Sequence, residues 1–112
     1  MVAFPAVLLI VMFALQFGLY LHAAQIAEAA AQEAVEAAQV ETAGVAEGRA
    51  AAAVLLRELP ALRGPTIAVE RTATIATARI SGHAQQLVPG LDLRVVAAAQ
   101  GPIERFVPEP AP

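Results

Sequence analysis

The stretch "LQFGLYLHAAQIAEAAAQEAV" (Leu15–Val35) passes from apolar to polar chain without a break. Its first third suits a lipid bilayer, and its last third carries Glu28 and Glu33 among alanines. Neither Pro nor charge marks the seam, and the one glycine, Gly18, lies inside the apolar part. Alanine is the best helix former, so the segment reads as a single helix running from an apolar medium into water.

Upstream the apolar character deepens. Residues 1–27 contain no Asp, Glu, Lys or Arg. Within them "VAFPAVLLIVMFALQFGLYL" (Val2–Leu21) is almost uninterruptedly apolar. At 1.5 Å per residue a helix of that length covers roughly 30 Å, the thickness of a bilayer's hydrocarbon core. Pro5 suits a first helical turn, where its missing N–H costs nothing. Phe13, Phe17 and Tyr20 fall on one helical side, and Tyr20 and His22 stand where an interfacial belt would be. Gln16 is the one strongly polar side chain in the run; such an amide bonds across to another helix or back to its own backbone. Pro5, Phe13, Gln16, Phe17, Gly18 and Tyr20 therefore mark an expected transmembrane anchor over residues 1–22. A buried core helix is disfavoured because the rest of the chain is short and Ala-rich. A cleaved secretory signal is the stronger rival, with the small-x-small site Ala27-Glu28-Ala29. Its usual apolar run is only about 7–15 residues and follows a basic segment, which is missing here. The first downstream Arg is Arg49, while Glu28, Glu33, Glu36 and Glu41 lie beyond the apolar run. The α-amino group at the other end favours N-inside, C-outside.

The helix is expected to run from about Pro5 to about Ala43, residues 23–43 forming its extramembrane extension. Gln25, Glu28, Gln32, Glu36 and Gln39 form one polar stripe at 100° per residue. Opposite it Ala23, Ala27, Ala30, Ala34 and Ala38 form a row that lets another helix approach closely. A face of methyl groups buries little area, so it needs many neighbours or a membrane tether.

Further on, Gly44–Gly48 reads as a break. "RAAAAVLLRELPAL" (Arg49–Leu62) reads as a second helix with Val54, Leu55, Leu59 and Leu62 inward and Pro60 limiting its end. "RGPT" (Arg63–Thr66) reads as a turn. Thr, Ile and Val at period two then predict three antiparallel strands, about 66–72, 74–82 and 91–99. Pro89-Gly90 makes a turn before the last. The expected class is α+β: a small three-stranded sheet resting on the second helix, within a domain of residues 44–107 placed outside the cytoplasm. A Pro-rich tail, 108–112, follows.

Composition narrows function. The net charge of −3 and singly scattered Arg give no footprint for nucleic acid. There is no Cys, hence no thiolate chemistry. The titratable candidates for catalysis, His22, His83 and Asp92, fall in no motif that pairs a poised group with an orienting partner. Glu33 and Glu36 lie one turn apart with no His beside them and read as a solvated face. No catalytic, cofactor-binding or metal-binding residue, and no small-molecule substrate, is expected. The chain is read as a non-enzyme that acts through lipid and other helices.

The whole layout resembles the TadE-like minor pilins, or pseudopilins, of tight-adherence (Tad/Flp) pilus systems. Phe4-Pro5, Gln16-Phe17-Gly18 and "AAQEAV" (Ala30–Val35) carry most of the likeness, with "LVPGL" (Leu87–Leu91) and "GPIERF" (Gly101–Phe106) following. The resemblance implies a bacterial single-pass membrane protein with its C-terminal domain extracytoplasmic. It implies a role in assembling a pilus or a related secretion machine, beside other pilins and a membrane platform. Processed members carry a Gly-containing cleavage site and an acidic residue ahead of the apolar run. Here nothing acidic precedes Glu28 and the first glycine is Gly18. The expectation is a start upstream of Met1 or an unprocessed member. Two other readings stay open: a secreted small binding module left after removal of residues up to about Ala29, and an accessory subunit of another membrane complex.

Overall fold

The computed structural model describes residues 2–40 and 44–103. Helix α1 (Ala3–Gln39) is followed by helix α2 (Val45–Glu58) and strands β1 (Leu62–Arg71), β2 (Ile75–Ala84) and β3 (Arg94–Pro102). The strands form one antiparallel sheet in the order β1-β2-β3. The class is α+β, as the sequence predicts.

Helix α1 is continuous through the seam at Tyr20–Ala24, with Pro5 in its first turn. It stops at Val40, whose backbone is extended. That is earlier than Ala43; the expected stop at Thr42, the residues Glu41 and Ala43, and the Pro-rich tail lie outside the described residues. So do Glu104 to Phe106 of the "GPIERF" phrase.

Helix α2 begins four residues before the expected Arg49 and ends before Leu62. Gly44–Gly48 is not a break. The Gly44 N–H donates to Glu47 Oε2 at 2.8 Å, which satisfies an orphan donor at the helix start. The buried face also differs from the expectation. Gly48, Ala52 and Leu56 face inward, while Val54 and Leu59 are exposed and Leu55 is half-buried. Gly48 and Ala52 let α2 come close to the alanine surface, and Leu56 continues the same i, i+4 row. Leu62 is buried, but on β1.

The sheet departs from the expected strands for one local reason. Gly64 and Pro65 do not end a turn; they sit in an irregularity inside β1. Leu62 and Arg63 pair with Ala84 and His83, the register shifts, and Thr66 resumes pairing with Ser81. A bulge of this kind keeps the ladder while bending the strand. β1 and β2 consequently gain residues at the end nearest the loop between β2 and β3. β3 starts at Arg94 rather than Leu91, because residues 85–93 form that loop.

Alternation places Val69 on β1, Ala76, Ala78 and Ile80 on β2, and Val95 and Ala99 on β3 against the helices. The sheet was expected to rest on α2. Instead β2 and β3 lie chiefly on α1, and α2 covers β1. The upper half of α1 is therefore the spine of the domain rather than an extension standing clear of it. Among the described residues, the large side chains almost wholly withdrawn from solvent are Ile80 and Gln16.

Candidate functional site

The functional features converge on α1, which has three surfaces. The first is a bare apolar shaft. From Val2 to Leu15 the helix is almost without cover, Met12 alone being half-buried: Val2, Phe4 and Ile10 are 85%, 74% and 69% exposed. The helix is long and apolar enough to cross a membrane. Phe13 and Phe17 stay exposed, while Tyr20 is half-buried against the core. The rings of Phe17 and Tyr20 stack with centroids 6.4 Å apart. Gly18 has open space where a Cβ would stand, so no contact requires a glycine there.

The second surface is the alanine row. Ala23, Ala27, Ala30, Ala34 and Ala38 are all fully buried, and the elements that bury them are this chain's own α2 and sheet. The close approach expected of such a row occurs between α1 and α2. A methyl added to Gly48 would stand 2.8 Å from the Ala34 carbonyl oxygen and 3.1 Å from Ala38 Cβ. The row is thus occupied within the chain. The third surface lies opposite: Gln25, Glu28, Gln32, Glu33 and Glu36 are exposed. This outer stripe is what the upper helix offers to a neighbour.

Two glutamines fasten the sheet along the helix. At the top, Gln39 Nε2 donates to the carbonyl of Pro102 at 2.9 Å. At the bottom, Gln16 binds the β2–β3 loop. Its Nε2 donates to the Gln85 carbonyl at 3.0 Å, and its Oε1 accepts from the N–H groups of Leu87 (2.7 Å) and Val88 (3.1 Å). Neither sequence reading of Gln16, a bond to another helix or to its own backbone, describes this. The amide belongs to the chain's own tertiary fold. Pro89 and Gly90 complete the loop as a turn, with Leu91 N–H donating to the Val88 carbonyl at 3.1 Å and Gly90 at φ +82°. A φ of that sign at the third turn position is what Pro-Gly provides.

At the loop's base, Arg63 Nη2 donates to Asp92 Oδ1 at 2.7 Å and its Nε to the Ala84 carbonyl at 3.1 Å. His83 Nδ1 stands 3.2 Å from the same Asp92 oxygen but lacks hydrogen-bond alignment. His83 and Asp92, two of the titratable groups, are therefore brought together, while His22 stays apart on α1. Among the described residues no three His, Cys, Asp or Glu side chains gather as a metal site.

Sequence reasoning missed Gly48, Gln39 and the docking of Leu87 and Val88 on Gln16. The uncharged run "QQLVPGL" (Gln85–Leu91) was the available signal for the last.

Residues 1–36 match the family model of TadE-like proteins. The match covers the bare shaft and the buried alanine row except Ala38, and it ends before α2. No curated protein and no solved structure matches the chain. The matched segment thus holds most of the helix on which α2, β2 and β3 pack.

Proposed function

We propose that the chain is a single-pass membrane minor pilin, or pseudopilin, that contributes to assembling a Tad-type pilus or a related secretion machine. It acts by helix packing and performs no catalysis. One observation carries the reading: the TadE-like helix is bare and apolar along its lower half and serves as the spine of a folded domain along its upper half. Exposed apolar surface on this scale has no stable place in water, since each fully buried large aliphatic side chain is worth about 1.5–3 kcal/mol. In a bilayer the shaft is solvated by acyl chains, and in a filament by the shafts of neighbouring pilins. The domain stands on the extracytoplasmic side, in contact with other pilins and the assembly platform through the outer stripe of α1.

The rival reading, a secreted module cut near Ala29, fits this fold poorly. Such a cut removes Gln16, Ala23, Ile26 and Ala27, all of which are buried. The experiment is fractionation of cells expressing the full chain, with the intact mass of the product. Retention in alkaline-washed membranes, release by detergent and a mass that includes the apolar run are expected. A soluble product lacking its first residues overturns the reading.

A further inference from the structure

We propose that the β2–β3 loop, residues 85–91, is a second membrane contact, seated in the headgroup layer of the bilayer beside the helix. The proposal rests on the membrane reading of α1 given above.

Its first support is level. Gln16 holds the loop backbone within the apolar run Val2–Leu21, not above it. From Gln16 to Leu21 the helix rises about 8 Å at 1.5 Å per residue. If the whole apolar run occupies the hydrocarbon, the loop reaches about that far below its edge. If only Ala3–Leu15 does, the helix covers about 20 Å, the bilayer thins toward that length, and its edge lies beside Gln16 and the loop. Either placement brings the loop to the boundary, at the depth of about 5–10 Å where interfacial segments lie.

Its second support is the loop's own chemistry. Gln85–Leu91 contains no charge, and Leu87 is 39% exposed although Gln16 holds its backbone. The polar groups Arg63, His83 and Asp92 stand together at the loop's base, where it joins the strands. Polarity therefore falls from base to tip, in the direction of the bare shaft.

The third support is the hydrogen bonding. Irregular backbone enters an apolar medium only when its polar groups are already paired. Gln16 pairs the Gln85 carbonyl and the Leu87 and Val88 N–H groups, and the turn pairs Leu91 with Val88, so the part of the loop backbone nearest the helix is satisfied and the rest is left to the hydrated headgroups. A glutamine inside the span is itself costly in lipid, and the loop is what satisfies it.

The native chain has no Cys, so single cysteines can carry an environment-sensitive nitrobenzoxadiazole probe. Full-length Leu87→Cys, Gln86→Cys, Ile10→Cys and Gln32→Cys proteins are reconstituted in phosphatidylcholine vesicles. The vesicles contain lipid brominated either near the headgroup end or near the tail of the acyl chain. The expected result is loss of fluorescence at Leu87 or Gln86 to the shallow bromines, at Ile10 to the deep bromines, and none at Gln32. Quenching at Ile10 with none at either loop position overturns the loop proposal and leaves the anchor standing. No quenching even at Ile10 overturns both.

Discussion

The backbone N–H of Leu87 donates to the side chain of Gln16 at 2.7 Å, joining residues 71 apart in the chain. With the bonds to Gln85 and Val88, this makes one amide responsible for three polar groups of the loop backbone. Replacing Gln16 by Leu keeps the bulk and removes all three bonds. The expected cost is about 1–3 kcal/mol, the penalty for orphaned and partly buried polar groups. Amide hydrogen exchange should speed up at Leu87 and Val88 and stay unchanged at Ala78 and Ile80 in mid-sheet.

The two helical glycines should respond in opposite directions to the same substitution. Alanine is favoured over glycine in a helix by about 1 kcal/mol. At Gly18 a Cβ meets nothing within 4 Å, so Gly18→Ala should stabilise the protein or leave it unchanged. At Gly48 the Cβ would collide with the Ala34 carbonyl at 2.8 Å, so Gly48→Ala should destabilise by about 1–3 kcal/mol despite its better propensity. Thermal unfolding in detergent reads both.

The faces of the upper helix can be told apart by labelling. Cysteines at Ala27 and Ala34 should resist a water-soluble maleimide in the native protein, because both positions are fully buried. Cysteines at Gln32 and Glu36 should react readily and should be the ones that crosslink to neighbouring subunits. Rapid labelling at Ala34 with the fold intact would show that the α1–α2 contact opens.

The Arg63–Asp92 pair is exposed, at 40% and 53%, so solvent screens it. Asp92→Asn should change stability by less than about 1 kcal/mol. Arg63→Ala should cost more, since it also removes the bond to the Ala84 carbonyl at the root of the loop. Denaturant unfolding of the two variants in detergent gives the comparison.

Where the sequence could be read, the signal was local. The unbroken α1 follows from composition and from the absence of any stop before Val40, and the Pro89-Gly90 turn from two residues. Where it misled, a local signal was overruled by packing. Gly64-Pro65 has the composition of a turn, yet Leu62 and Arg63 continue the ladder across it. Val54 on α2 and Leu59 just past its end are large and apolar, yet the buried face is Gly48, Ala52 and Leu56. The role of Gln16 was legible only faintly, through the uncharged run Gln85–Leu91, because its partners are backbone groups 69 to 72 residues away. The alanine row was legible as a packing surface; that its occupant is the chain's own second helix was not.

The two glutamine clasps have a mechanical consequence. β3 is tied to α1 at its far end, by Gln39 at Pro102, and the loop leaving β2 is tied to α1 by Gln16. Helix and sheet are therefore fastened at two levels, which resists swivelling of the domain on the shaft. A tilt given to the lower shaft reaches the domain through both attachments. A pull on the shaft is shared along the sheet rather than concentrated on one joint.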